Sequence, residues 1–565
     1  MKLRGLSAIL ALASTAAVAA PAPWVPDQGD GTYRNPVLAG DYSDPDVVRV
    51  GEDFYLTASS FTNAPGLPIL RSKDLVNWTI IGHALPTVRP EAHFATPRHG
   101  GGVWAPAIRH HGGRFMIYYP DPDFGIFVTT ATDPAGPWSE PVLVDASKGA
   151  IDPCPFWDDD GTGWLVMAWA RSRSGVNNII TLKKLSADGT RTVGERIDII
   201  DAGKMPPVRT SRGSMPWLTT EGPKLYKRDG WYYVFAPSGS VKGGWQGVFR
   251  ARSLTGPWEG RDVLDQGRTE INGPHQGAWV TAPDGKDWFL HFQDTDSYGR
   301  RVWLQPMVWR AGWPVIGADA DRDGIGEPVL GGRKPVAGQP LGVPEDDDGF
   351  DGRLSQAWQW NANPRDDWMS LDAAPGALRL KSISSPSNLW EAPAILTRKL
   401  PGERFTATVR LHFEPKAPGE RAGLLMYGSD YAWIGLEKTA EGLRLVRVER
   451  AEAPALKPEA VAVGLPTAPA DVVLRLTAQP VTVSDPPPSF SPYFPSMLRS
   501  RHAQVSFSYS LDGKTFTPLG HPFVSRPGRW VGAQLGLFAQ APSGTPSHVA
   551  TSVGWADFDD FALAP

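Results

Sequence analysis

The sequence predicts an all-β protein in two parts, a five-bladed β-propeller followed by a β-sandwich. Three observations carry that prediction. A strand motif led by an aromatic residue recurs five times in the first 300 residues, the signature of a radially closed array of sheets. No amphipathic helix accompanies the repeats. Gly (60) and Pro (55) make up about a fifth of the 565 residues, a turn-rich composition, while 10% aromatics supply ample core material.

The chain divides into a leader (1–20), a propeller (21–335), a linker (336–349) and a sandwich (350–565). In the leader, Lys2 and Arg4 precede an apolar run at 6–18, too short for a membrane span of ~20 residues, and Ala17-Val18-Ala19 is a small-x-small cleavage pattern. The mature chain is therefore expected to be secreted or periplasmic. No later run is long and apolar enough to expect a membrane partner. A net charge of −4 with no basic run makes nucleic acid and anionic lipid poor partners as well. The single cysteine, Cys154, excludes a disulfide framework and a cysteine-rich metal site, and reads as a small buried apolar residue.

The leading aromatics of the repeats are Phe54, Phe115, Trp164, Trp231 and Trp288, spaced by 61, 49, 67 and 57 residues. Each follows a turn rich in Gly or Asp. Several units then close on a second signature, as in Ser72-Lys73-Asp74-Leu75 with Trp78. Ten to 13 residues upstream of each aromatic stands a short distinctive string that contains Asp44, Trp104, Asp152, Glu221 or His275. If each string opens the innermost strand of its blade, all five side chains face one axial funnel.

Three carboxylates with a tryptophan and a histidine, and no thiol, suit acid–base hydrolysis of a glycosidic bond. One carboxylic acid protonates the leaving oxygen, and one carboxylate activates water or attacks carbon. A third raises the acid's pKa by like-charge repulsion and orients it. The 23 tryptophans serve core packing and also suit stacking on sugar rings. The alternative is a non-catalytic propeller that binds oligosaccharides, for which three acids are an unneeded expense of charge. Asp319-Ala320-Asp321-Arg322-Asp323-Gly324 begins like a calcium loop, but its twelfth position is Leu330, so it reads as a polar turn.

The strings resemble glycoside hydrolase family 43 in order over about residues 32–317. They are Asp41-Tyr42-Ser43-Asp44-Pro45-Asp46, Phe54 to Phe61, Gly102-Val103-Trp104-Ala105-Pro106, Ile151-Asp152-Pro153, Thr220-Glu221-Gly222-Pro223, His275-Gln276-Gly277, and Gly299-Arg300 with Leu304-Gln305-Pro306. The family's fold is a five-bladed propeller. The resemblance implies inverting hydrolysis with Asp44 as general base, Glu221 as general acid and Asp152 tuning and positioning Glu221. Phe61 and Trp104 would wall the subsite of the non-reducing sugar. Arg300 would bond sugar hydroxyls or hold the acidic cluster, with Arg301 as a neighbour to be told apart from it. His275 would sit low in the funnel, where relatives hold a structural Ca2+ or a water cluster. No cofactor is required for the chemistry, and calcium prefers oxygen ligands to a lone histidine. Trp303 stands where relatives often carry a histidine, and Cys154 where a serine is expected. The implied substrate is an oligosaccharide carrying terminal β-D-xylose or α-L-arabinofuranose. A retaining fructan-hydrolase reading is set aside because Ser43, not Asn, precedes Asp44.

Residues 350–565 show alternating strands divided by turns such as Leu511-Asp512-Gly513-Lys514. Trp358-Gln359-Trp360-Asn361 and Tyr509-Ser510-Leu511-Asp512-Gly513 resemble the lectin-like jelly-roll that follows many family 43 xylosidases, where it packs on the propeller and can narrow the active-site mouth.

Overall fold

The computed structural model describes residues 22–344, 347–386, 388–455, 457–485, 498–542 and 553–565. The leader at 1–20 lies outside the described residues, as does the proline-rich run beyond Asp485 as far as Pro495.

Five four-stranded antiparallel sheets form the propeller. Their first strands are Asp46–Val50, Ala107–His111, Ala150–Trp157, Lys224–Arg228 and His275–Thr281. Contacts between the first strands of neighbouring blades ring the axis. All five leading aromatics open the second strands: Asp53–Thr57, Arg114–Asp121, Gly163–Trp169, Trp231–Ser238 and Asp287–Asp294. The hairpins that join first to second strands explain the turn signals. Asp229 and Gly230, with φ of 51° and 72°, form a two-residue turn whose two positive φ values match the twist of the flanking strands.

Each blade buries its faces against its two neighbours. Phe54, Trp78 and Leu56 of the first blade pack with Trp288, Leu290 and Leu304 of the fifth. Separate clusters join the first blade to the second, the second to the third, the third to the fourth, and the fourth to the fifth. The second signature has a local cause. Asp74 accepts the backbone N–H groups of Val76 and Asn77, and the fully buried Trp78 indole donates to the carbonyl of Leu75 at 2.9 Å.

The ring is clipped shut by its own ends. Thr32–Arg34 pairs antiparallel with Gly331–Arg333, and Asn35 exchanges two hydrogen bonds with the backbone of Leu304 in the fifth blade. The sandwich consists of two eight-stranded sheets over one large core. Tyr298, from the fifth blade, enters that core at 2% exposure. Ala64 bridges Trp360, Asn363 bonds Val88 in both directions, and His99 stacks on Trp390 at 3.6 Å. The two domains are therefore joined along a broad seam. Cys154 is buried in the third blade's first strand, where Arg109 donates to its sulfur. In the Asp319–Asp323 turn, Arg310 and Arg209 pair with Asp319 and Asp323.

Candidate active site

The five strings gather at one end of the axial channel, but not in identical register. Asp44 and Glu221 precede their strands, Asp152 lies inside its strand at a bulge, and His275 opens its strand beside another bulge. The shared feature is backbone. Asp44, Asp152, Gly222 and Gln276 all have positive φ, at 54°, 55°, 59° and 37°, so the chain turns sharply as it enters the channel. Such conformations are strained for side chains other than glycine and concentrate at functional sites. Glu221 stands one residue before the kinked position that Asp44 and Asp152 occupy, which turns it to a different depth. A Cβ at Gly222 would lie 2.7 Å from the side chain of Gln276, which accounts for the glycine after Glu221.

Asp44 is 6% exposed. Its Oδ2 accepts hydrogen bonds from the hydroxyls of Ser43 and Ser59, both at 2.6 Å. Arg300 Nη1 stands 3.3 Å from Oδ1 and donates to Ser43 Oγ at 2.7 Å. Arg300 thus pairs with Asp44 in the structure. Arg301 turns away and pairs with Glu403 of the sandwich at 2.8 Å.

Asp152 is buried, and its Oδ2 accepts the backbone N–H of Gly222 at 2.7 Å. Burial and then the negative charge of Glu221 push its carboxyl up to about 8, with the charge of Asp44 adding to the rise. Asp152 is therefore within electrostatic reach of both other acids. Glu221 has the most solvent access of the three, with a side chain 25% exposed, and its Oε1 lies 3.0 Å from His275 Nε2. Asp152 is the enclosed member of the three, and desolvation is the largest contribution to its rise.

Phe61 is 4% exposed, and its backbone bridges Val103, which fixes the segment carrying Trp104. Trp104 is half-buried, donates to the carbonyl of Gly100, and has the guanidinium of Arg173 5.6 Å from its ring. Its other neighbour comes from the sandwich. Trp530 stands edge-on to Trp104 at 6.3 Å, with Arg300 5.5 Å from its ring. The loop bearing Trp530 is anchored by Asp41, whose Oδ1 accepts Arg300 N and whose Oδ2 accepts Gly532 N, both at 2.8 Å. Sequence reasoning missed Trp530, Ser59 and the anchoring role of Asp41. Trp530 belongs to no repeat, and only its flanking glycines at 528 and 532 hint at a tight approach.

The residues around His275 suit calcium poorly. His275 keeps Nδ1 without a partner among the described residues, a lone nitrogen for an ion that seeks six to eight oxygens. One layer down, Asp46 is taken by Arg109 at 2.6 Å and by the backbone N–H of Ile108, and Lys224 Nζ stands 4.0 Å away, bonded to the carbonyl of Pro106. Two cations on one carboxylate leave that layer positively charged.

Comparison with known proteins agrees with this architecture. The profile of "Glycosyl hydrolases family 43" matches residues 33–314, and that of the "Beta xylosidase C-terminal Concanavalin A-like domain" matches 347–563. A putative beta-xylosidase of Xylanibacter ruminicola is 38% identical over 510 residues, covering 90% of this chain and 86% of that protein. The non-reducing end alpha-L-arabinofuranosidase BoGH43B of Bacteroides ovatus is 30% identical over 438 residues, covering 74% and 78%. The crystal structure of the GH43 BlXynB protein from Bacillus licheniformis superposes with a TM-score of 0.76 at 26% identity, covering 94% of this chain and 99% of that one. With a five-bladed propeller, an enclosed Asp152 acting on both Asp44 and Glu221, and a sandwich seated against it, the chain belongs to glycosyl hydrolases family 43 and is a glycoside hydrolase.

Proposed function

We propose that this protein is a secreted, exo-acting, inverting hydrolase that releases terminal β-D-xylose or α-L-arabinofuranose from xylan-derived oligosaccharides. The two sugars place similar hydroxyls around the anomeric carbon, so one pocket accepts either. The names of the relatives include both activities. The observation that carries the reading is the division of labour among the three acids: Asp44 wrapped in donors, Asp152 enclosed and protonated, Glu221 facing the opening.

In this reading Asp44 is the general base. The two serine hydroxyls and Arg300 aim its carboxylate, which takes a proton from the attacking water. The water oxygen bonds the anomeric carbon as the bond from that carbon to the leaving oxygen breaks. Glu221 gives its proton to that oxygen, and His275 fixes its carboxyl from behind. Asp152, enclosed and bonded to the N–H of the residue after Glu221, positions Glu221 and sets the charge beside it. Inversion needs base and acid about 6.5–9.5 Å apart, with room for the water. Trp104, Phe61 and Trp530 would wall the sugar subsite, and the sandwich loop held beside Trp104 would favour chain termini. In this reading the chemistry needs no cofactor, and the pairing of Asp46 with Arg109 and its approach to Lys224 weigh against a cation at that carboxylate. Proton NMR of the sugar first released from nitrophenyl xyloside and arabinofuranoside tests the mechanism. The inverted anomer is expected, and a retained anomer refutes it.

A further inference from the structure

A cavity of about 980 Å³ lies where segment 23–39, loops of the fourth and fifth blades and the sandwich meet. Its size is at the upper end for ligand sites. It shares a wall with the catalytic funnel. Lys242 bridges Asp294 at 2.7 Å and Asp296 at 2.5 Å, and Asp294 lies 3.8 Å from Nε of Arg300, whose Nη1 faces Asp44.

Two features set the chemistry of its ligand. The first is charge: seven Lys or Arg residues line the cavity against four Asp or Glu. Arg301 and Arg501 share the single carboxylate of Glu403. Arg34 and Arg212 reach backbone carbonyls, and among the described residues neither they nor Arg404 and Arg499 have a carboxylate in ion-pair range. The second is unmet hydrogen bonding. Trp303 and Gln293 are only 3% and 5% exposed, yet Trp303 Nε1 and Gln293 Oε1 have no partner among the described residues. Buried polar atoms without partners are uncommon and call for an occupant that supplies them. A buried donor, a buried acceptor and a cationic rim recognise hydroxyls together with a carboxylate. The half-buried ring of Trp24 in the same wall offers an apolar face.

We propose that this cavity is a second saccharide site, for a xylan fragment bearing a uronic acid. The carboxylate would pair with Arg404 and Arg499, and sugar hydroxyls would meet Trp303 and Gln293. The choice of xylan rests on the proposed function, whereas the binding itself does not. Trp303, the departure from the family pattern, thereby acquires a role. The test is calorimetric titration of the full chain with thio-linked xylotriose, which resists hydrolysis, with and without a glucuronosyl branch. The branched ligand should bind about tenfold tighter, the size of one charge-assisted hydrogen bond. The Arg404→Ala/Arg499→Ala variant should lose that preference while turning over nitrophenyl xyloside at the parent rate. Equal affinity for the two ligands, or a preference that survives in the variant, overturns the proposal. Because binding is read without catalysis, failure of the mechanism would appear separately, in the NMR experiment.

Discussion

Replacing Asp152 by Asn should cripple the enzyme and stabilise its fold. The carboxyl is held protonated by burial beside Glu221, with its pKa moved from 3.8 to about 8. The unfolded chain ionises it near 3.8, so folding at neutral pH must take up a proton. The sign follows: the unfolded state binds fewer protons between these two values, and stability is lost as pH rises through that window. At pH 7 the loss amounts to at most about 4 kcal/mol. Asn is neutral at every pH, and its amide oxygen can still accept the N–H of Gly222. The variant should therefore melt roughly 3–6 °C above the parent at pH 7. The gap should vanish near pH 4 and level off above pH 8. Scanning calorimetry of both proteins across that range measures it. A variant less stable than the parent at pH 7, or a gap independent of pH, refutes the claim that Asp152 is a proton-holding acid. The same variant should lose about 10²–10⁴-fold in kcat, because Glu221 loses the acid that positions it.

Glu221→Gln should abolish turnover of xylobiose but spare part of the rate on nitrophenyl xyloside, whose leaving group needs less protonation; equal losses on both would argue against the acid role. Asp44→Asn should reduce kcat on both substrates alike, by roughly 10³-fold or more, and a milder loss on either would point to another base. Trp530→Ala removes an aromatic wall contributed by the second domain and should raise KM about tenfold with little change in kcat; an unchanged KM would place Trp530 outside the sugar subsite. Gly532→Ala would set a Cβ 2.6 Å from the backbone nitrogen of Gly299, so the loop must withdraw; KM should rise as for Trp530→Ala, and parent-like kinetics would mean the loop is free to shift. Prolonged dialysis against a chelator should leave the rate unchanged, and a loss restored by Ca2+ would contradict the charge argument drawn from Arg109 and Lys224.

The propeller is legible in the sequence because its causes are local. A two-residue turn such as Asp229-Gly230 dictates the hairpin that follows it, and Asp74 organises its own corner through bonds to residues two and three positions on. Such features recur in several blades and can be counted. The strings that carry Asp44, Asp152, Glu221 and His275 stand at or near the first strands of their blades for the same reason. What cannot be counted is depth. Asp44, Asp152 and Glu221 look alike on paper, yet a one-residue difference at the kink leaves Glu221 in reach of solvent and Asp152 enclosed. Trp530 has no periodic signal at all, since its place beside Trp104 depends on a contact spanning more than 400 residues.

Repeat number, blade order and the identity of the channel-facing residues follow from the linear chain, because each depends on neighbours a few positions away. Which carboxyl is most deeply enclosed, which arginine pairs with Asp44, and which sandwich residue meets Trp104 were decided only on folding. Those outcomes depend on burial and on fields between residues remote in sequence, and both quantities exist only once the domains have come together.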